Sequence, residues 1–208
     1  MLRIWLFLPF TVALFSQSHE NDRLIVPGFR VGPVTRISTE QSLRNAFGRL
    51  AVKEKIGVGE GMDAPGLVLY PTDPQRRLEI TWNHEQPAHP AMIFICRGEY
   101  NHKCQWHTPH GVSIGTTLRE LERLNGKAFE MVGWGSDVGG NLTSFQGGRL
   151  EKERLALTLV PMVDRDGNYL PRLTAREFSE VEGEKFLLSS HPVLQKLNPY
   201  VGALVLVF

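Results

Sequence analysis

The strongest local signal in the chain is the stretch GVSIGTTLRELERLNG, residues 111–126. Within it, Thr117 is followed three positions later by Glu120, which is the spacing of a capping box. In a capping box the two side chains satisfy backbone amides that the first turn of a helix leaves unpaired. Gly126 supplies the left-handed conformation that commonly ends a helix. The leucines between these signals share one helical face: Leu118, Leu121 and Leu124. The stretch therefore predicts a short amphipathic helix that is held by packing.

A second stretch, VGPVTRISTEQSLRNAFG at residues 31–48, is a weak copy of the first. A fixed shift along the chain places Leu43 on Leu121, and both copies end in glycine. In this copy we expect Ser38 and Gln41 to form the capping box. The predicted apolar face consists of Leu43, Ala46 and Phe47. The chain therefore has the pattern of a diverged internal duplication.

Strand signals follow each predicted helix. In RLEITW, residues 77–82, apolar residues alternate with polar ones at the period of a half-buried strand. In LALTLVPMV, residues 155–163, leucines occupy alternate positions at the start of an expected strand. Further strands are expected at 67–70, 92–96, 128–132, 142–145 and 201–208. Ser189 or Ser190 is expected to cap a helical turn before the last of these strands.

These elements predict an α+β fold, with two diverged helix-plus-antiparallel-sheet units forming one layered domain. Unit one spans about residues 31–98, unit two spans about 111–163, and a closing segment occupies 164–208. The single domain would cover residues 19–208, a length that can bury a core of its own.

The first 18 residues, MLRIWLFLPFTVALFSQS, have the features of a secretory signal peptide. Arg3 is their single charge, an apolar run extends from Ile4 to Phe15, and small residues follow it. A membrane anchor and a buried helix are the alternatives. The apolar run is shorter than the about 20 residues that span a bilayer, and Pro9 disfavours a helix. We therefore expect a periplasmic or secreted protein, with no stable membrane span in the mature chain.

The charge of the chain is balanced. In 208 residues, 23 Lys and Arg stand against 22 Asp and Glu, which gives a formal net charge of +1. A protein that binds nucleic acid needs a surplus of basic residues to displace counterions. We therefore expect no nucleic-acid partner.

Cys96 and Cys104 are the two cysteines of the chain. An even number of cysteines in an exported protein favours a disulfide. Two alternatives stay open, namely a pair of free buried thiols and a metal site. Thiolate and imidazole ligands suit zinc or copper, and the candidate ligands are Cys96, His102, Cys104, His107 and His110. Their spacing is irregular, so no metal site is assigned.

The segment Ile114–Leu121, IGTTLREL, resembles the repeat unit of small exported bacterial modules. These are the SmpA/OmlA-type outer-membrane assembly lipoproteins and the β-lactamase inhibitory protein-like modules. The resemblance implies helices packed on an antiparallel sheet, in tandem units. The strings WHTPHGVSIGTTLRELERLNG, GWGSDVGG and LQKLNPYVGALVLVF are similar to exported bacterial proteins that bring no site residues with them. The chain departs from the lipoproteins because no lipid-bearing cysteine follows its apolar run.

The motifs of the chain do not combine a nucleophile with a base, so no catalytic residue and no cofactor are assigned. The acidic run at 177–184 is interpreted as a solvated surface. We expect a non-catalytic binding or inhibitor-like envelope module. A sheet face, or the loops that carry Trp106 and Trp134, would contact an envelope or extracellular protein. The alternative is a small exported hydrolase or a metal-binding protein centred on Cys96–His110.

Overall fold

The computed structural model describes residues 22–83, 89–98, 103–153 and 155–208, so the predicted signal peptide lies outside the described residues. Within this part of the chain the helices are α1 (Glu40–Phe47), α2 (Leu118–Asn125), α3 (Ala175–Val181) and α4 (Pro192–Leu197). None of these helices is long and apolar enough to cross a membrane.

The strands, in chain order, are β1 (Ile25–Val26), β2 (Arg30–Val31), β3 (Val34–Thr35), β4 (Ala51–Gly59), β5 (Met62–Leu69), β6 (Leu78–Asn83), β7 (His89–Ile95), β8 (Glu130–Val132), β9 (Leu142–Ser144), β10 (Leu155–Val160), β11 (Met162–Val163), β12 (Tyr169–Leu170), β13 (Phe186–Leu188) and β14 (Tyr200–Val207). Six of them form one large antiparallel sheet in the order β10-β14-β7-β6-β5-β4. The smaller sheets have the orders β1-β2-β3, β13-β8-β9 and β11-β12. Helices and antiparallel sheets together confirm the α+β class.

The two predicted units are built differently. The first forms a meander, because β4, β5, β6 and β7 pair in chain order. In the second, β8 pairs with β9 and β13 in a separate sheet, whereas β10 pairs with β14 in the large one. Strand β14, from the predicted closing segment, lies between β10 and β7. The large sheet therefore combines strands from all three predicted segments.

The predicted strand at 155–163 is wrong, because two strands occupy it. Strand β10 ends at Val160, and β11 pairs with β12 across the turn at 164–168. Pro161 separates the two strands, since proline has no amide hydrogen to donate to a ladder.

Helix α2 forms as predicted. The Thr117 hydroxyl accepts a hydrogen bond from the Glu120 amide, and the Glu120 carboxylate accepts one from the Thr117 amide at 2.9 Å. Gly126 follows with a φ of 82°, in the left-handed region. The signals quoted from 111–126 therefore set both ends of the helix.

Helix α1 begins one residue later than predicted. Thr39, and not Ser38, is the N-cap, and Ser42, and not Gln41, accepts from the Thr39 amide at 2.9 Å. The prediction is wrong because adjacent hydroxyl residues offer two possible caps, and a serine replaces the usual glutamate or glutamine of the box.

The apolar faces of α1 and α2 contact the core. Leu43 and Leu121, at corresponding positions of the predicted duplication, are 4% and 0% exposed. Phe47 packs edge-on against Tyr70, with ring centres 5.7 Å apart. Ala46 departs from the prediction because its side chain is exposed.

The helices near the end of the described chain also differ from expectation. His191, and not Ser189 or Ser190, caps α4 by accepting from the Val193 amide at 3.3 Å. The acidic run at 177–184 lies at the surface as interpreted, since Glu182 and Glu184 are exposed and Glu177 and Glu180 are partly exposed. Its first part also belongs to helix α3, which begins with a capping box formed by Thr174 and Glu177. The spacing of these two residues is a helix signal that the interpretation of 177–184 overlooked.

One buried apolar cluster lies between the large sheet and the other elements. The sheet contributes alternate strand residues, among them Leu67, Ile80, Ile93, Leu157 and Leu204. The helices contribute Leu43, Leu118, Leu121, Val181 and Leu194. The smaller sheets contribute Val31, Val34, Met131 and Leu187. The helices and small sheets therefore cover one face of the large sheet.

Candidate functional site

The large sheet has a second face, which we call the open face. Side chains along a strand alternate between the two faces. On β7, Ile93 and Ile95 belong to the buried cluster, and Phe94 between them does not. By the same alternation and register, the open face consists of Val52, Glu54, Ile56, Val68, Glu79, Thr81, Met92, Phe94, Ala156, Thr158, Ala203, Val205 and Val207.

The half of the open face that β7, β14 and β10 form is apolar. Val205 lies opposite Phe94, and Val207 lies opposite Met92. On the far side of β14, Ala156 lies opposite Val205. Phe94, Met92 and Val205 are partly exposed, and Val207 is 47% exposed. Antiparallel sheets that face water normally carry polar side chains on that face, so this half has the chemistry of a contact surface.

The other half of the open face carries an ion-pair network around Glu79, whose side chain is 9% exposed. Arg77 donates to Glu79 at 2.8 Å and to Glu54 at 3.1 Å. Arg97 also pairs with Glu79, and its guanidinium lies 4.2 Å from the centre of the Phe94 ring. Burial alone would lower the pKa of Arg77, but the hydrogen bonds and charges of Glu79 and Glu54 raise it above its ordinary value. The network therefore keeps its charges fixed beside the apolar half.

The side chains of the two tryptophans in the predicted contact loops are buried, so the tryptophans themselves offer almost no contact surface. Trp106 has no exposed surface, and its Nε1 donates to the Arg76 carbonyl at 3.0 Å. Trp134 is 7% exposed, and its Nε1 donates to the Leu159 carbonyl at 2.9 Å. The sheet face, the other contact surface in the prediction, has exposed apolar side chains.

The disulfide prediction is confirmed, because Cys96 and Cys104 are bonded to each other with Cα atoms 5.8 Å apart. Both sulfurs are therefore unavailable as thiolate ligands. Of the other candidate ligands, His102 lies outside the described residues, and His107 places Nδ1 3.2 Å from the Gln105 carbonyl. Among the residues that the structure describes, no group of three His, Cys, Asp or Glu side chains is arranged to hold a metal ion.

The last of the candidate ligands, His110, contacts the carboxylate of Glu153. Nothing in the sequence indicated this contact. His110 Nδ1 lies 2.5 Å from Glu153 Oε1. The His110 side chain is 52% exposed, whereas that of Glu153 is 10% exposed. A cleft of about 430 Å³ lies beside the imidazole. The contact joins residues that are distant in sequence, so no motif could have revealed it.

Comparison with known proteins does not add a relative. No family model, no curated protein and no solved structure matches the chain. The functions of the open face and of the His110 cleft are therefore inferred from the chain's own residues.

Proposed function

We propose that this chain is an exported binding module of the inhibitor-like kind, and that its open face contacts an envelope or extracellular protein in a non-catalytic way. The apolar half of that face carries the proposal, because Phe94, Val205 and Val207 form a partly exposed apolar surface on neighbouring strands.

The chemistry of the open face supports a protein partner. Protein interfaces commonly have an apolar centre and a polar rim, and here the apolar half borders the network around Glu79. Phe94 joins the two parts, since Val205 lies opposite it on one side and Arg97 stacks on its ring. Aromatic and arginine side chains often contribute most of the binding free energy at an interface. We therefore expect Phe94 to be the main anchor.

The disulfide supports the exported location in this proposal. Bonds such as Cys96–Cys104 persist in oxidising compartments and are rare in the cytosol. A periplasmic or secreted protein of this kind would meet its partner in the envelope or outside the cell.

The duplicated architecture is also part of the proposal. Helices α1 and α2 each begin with a threonine capping box, and Leu43 and Leu121 are buried at corresponding positions. These similarities support descent from one helix-plus-sheet unit, as the resemblance to inhibitory-protein-like and SmpA/OmlA-type modules implies. In this view the copies share one large sheet, and the apolar half of its open face, on β7, β14 and β10, is left for a partner.

Site-specific photo-crosslinking tests the proposal. A benzoylphenylalanine placed at Phe94 should cross-link to a protein of the envelope or secreted fraction. The matched control carries the same group at Phe186, which is 68% exposed on β13, away from the open face. We expect a product from position 94 that position 186 does not give.

Binding to the purified partner then decides the outcome. Phe94→Asp should weaken binding at least tenfold, whereas Phe186→Asp should leave it unchanged, with near-UV circular dichroism showing that both variants fold. Equal binding by the two variants would contradict the proposal. Cross-linking to a second copy of this chain would also contradict it, because the face would then be a homodimer interface.

A further inference from the structure

The loop that precedes α2 forms one wall of the cleft of about 430 Å³, which lies away from the residues that define the open face. Polar side chains in the lining of the cleft come from His110, Ser113, Thr116, Glu120 and Arg123. A volume of this size falls in the range of small-molecule sites. The cleft is therefore large enough for a small polar ligand.

The contact with Glu153 determines which nitrogen of His110 can act on such a ligand. A carboxylate that is ionised can only accept hydrogen bonds, so with Glu153 in that form His110 Nδ1 is the donor in this contact. In the neutral ring, Nε2 then carries the lone pair. None of the described residues forms a hydrogen bond with His110 Nε2, and half of the side chain is exposed. The imidazole is thereby prepared to accept a proton from a molecule in the cleft.

Glu153 is a positioning residue. Its side chain is 10% exposed, so water has little access to the carboxylate that holds the ring. A base oriented by a third group through a hydrogen bond is a recurring arrangement in hydrolytic sites. Glu153 acts through His110 and does not itself line the cleft.

Arg123 indicates the charge of the ligand. The Glu120 carboxylate also lines the cleft, and its Oε2 accepts hydrogen bonds from the amide and hydroxyl of Thr117 at 2.9 and 3.0 Å. Among the described residues, Arg123 forms no hydrogen bond or close ion pair, and its attraction to Glu120 acts at longer range. The guanidinium is therefore available to an anionic group on a molecule in the cleft.

We propose that this cleft is a general-base site for the hydrolysis of small carboxylic esters that carry a negative charge, an activity beyond partner binding. His110 Nε2 takes a proton from water while the water oxygen forms a bond to the acyl carbon. The bond from that carbon to the alcohol oxygen then breaks, and Nε2 returns the proton to the departing oxygen. One ester and one water give one acid and one alcohol. Arg123 binds the anionic group and orients the ester.

Hydrolysis of two nitrophenyl esters by the disulfide-bonded protein tests this proposal. The anionic ester is mono(4-nitrophenyl) terephthalate, whose para carboxylate cannot reach its own ester carbon, and the neutral one is 4-nitrophenyl benzoate. We expect His110→Gln to lower kcat/KM for the anionic ester at least tenfold. His107→Gln is the matched control, since this exposed histidine lies outside the cleft lining, and it should leave the rate unchanged. Arg123→Gln should abolish the preference for the anionic ester.

The role of Glu153 has a separate readout. The ¹⁵N chemical shifts of the His110 ring should report hydrogen on Nδ1 in the native protein, and Glu153→Gln should reduce that preference together with kcat. Glu153→Asp should restore part of both. Equal rates for the native protein and His110→Gln, or a ring with hydrogen fixed on Nε2, would overturn the proposal. Phe186→Asp, at an exposed position outside the cleft and the open face, should not change these rates. Turnover is measured on the isolated protein, so the outcome is independent of the open face.

Discussion

Ser189 shows how a single hydroxyl can connect three parts of the chain. It is fully buried, and its oxygen accepts from the Phe129 amide at 2.9 Å and donates to Glu122 at 2.6 Å. Gln195 donates to the other oxygen of Glu122 at 2.8 Å. This network joins α2 to α4 and to the chain that enters β8.

Replacement of Ser189 by alanine should lower the free energy of unfolding by about 1–3 kcal/mol, because a buried amide and a carboxylate oxygen lose their partner. The matched control is Ser190→Ala, at an exposed neighbouring position, which should change the value by less than about 0.5 kcal/mol. Urea denaturation of both variants measures the difference. Equal losses at the two positions would contradict this role for Ser189.

At the scale of elements, the ion pair between Glu177 and Lys196 links the start of α3 to α4. Lys196 Nζ lies 2.6 Å from Glu177, whose other oxygen accepts from the amide and hydroxyl of Thr174 at 2.7 and 3.0 Å. The bond from Lys196, followed by those from Thr174, lowers the pKa of Glu177 to about 2.

This lowered pKa predicts the pH range in which the link acts. A carboxylate with a lowered folded-state pKa stabilises the fold fully above its ordinary value of 4.5. The contribution is lost as the pH falls toward about 2. The difference in unfolding free energy between the native chain and Glu177→Gln should therefore be constant from about pH 5.5 to 7, shrink below 4.5 and vanish near 2. A difference that persists unchanged at the lowest pH would contradict the assignment.

The disulfide closes the segment that follows β7, with Cys96 and Cys104 eight positions apart. Closure of a loop of this length restricts the unfolded chain by about 2.5–3 kcal/mol. Cys96→Ser combined with Cys104→Ser should lower the free energy of unfolding by that amount in chemical denaturation. Reducing agent should lower the stability of the native chain to a similar degree and leave the double variant unchanged. A native chain that is insensitive to reducing agent would contradict the prediction.

Elements with strong local signals could be predicted from sequence. Helix α2 has its capping box, leucine face and terminal glycine, and β6 has a clear alternation. Strand β4 has no such pattern, because charged residues fill Lys53–Lys55 on an edge strand. The sheet β13-β8-β9 has three-residue strands, too short for periodicity to be visible.

The candidate sites also differ in how far they could be predicted from sequence. Cys96 and Cys104 are close in sequence, so their pairing could be predicted from composition and spacing. The exposure of Phe94 depends on which elements cover each face of the large sheet. The sequence of one strand does not determine that arrangement. The contact between His110 and Glu153 depends on the path of the chain over forty-three positions. Sites that form through long-range packing therefore could not be predicted from the sequence.

At the scale of the whole molecule, β14 lies between β10 and β7, and β7 is the last strand of the meander β4–β7. Removal of residues 200–208 should abolish cooperative unfolding, because β7 and β10 would each lose their shared neighbour. Buried residues such as Val201, Leu204 and Leu206 would also leave the core. The matched control lacks Phe208 alone, which lies outside β14. Near-UV circular dichroism and urea denaturation of the two deletion variants measure the difference. A cooperative unfolding transition in the variant that lacks residues 200–208 would show that β14 is dispensable.

The position of β14 also has a consequence during synthesis. Strand β7 ends at Ile95 and its neighbour β14 begins at Tyr200. At about 5–20 residues per second, the ribosome needs roughly 5–20 s to make the intervening chain. Throughout that interval the unpaired edge of β7 can recruit other nascent chains. A chaperone that shields this edge should therefore raise the yield of the protein more than one that acts after release.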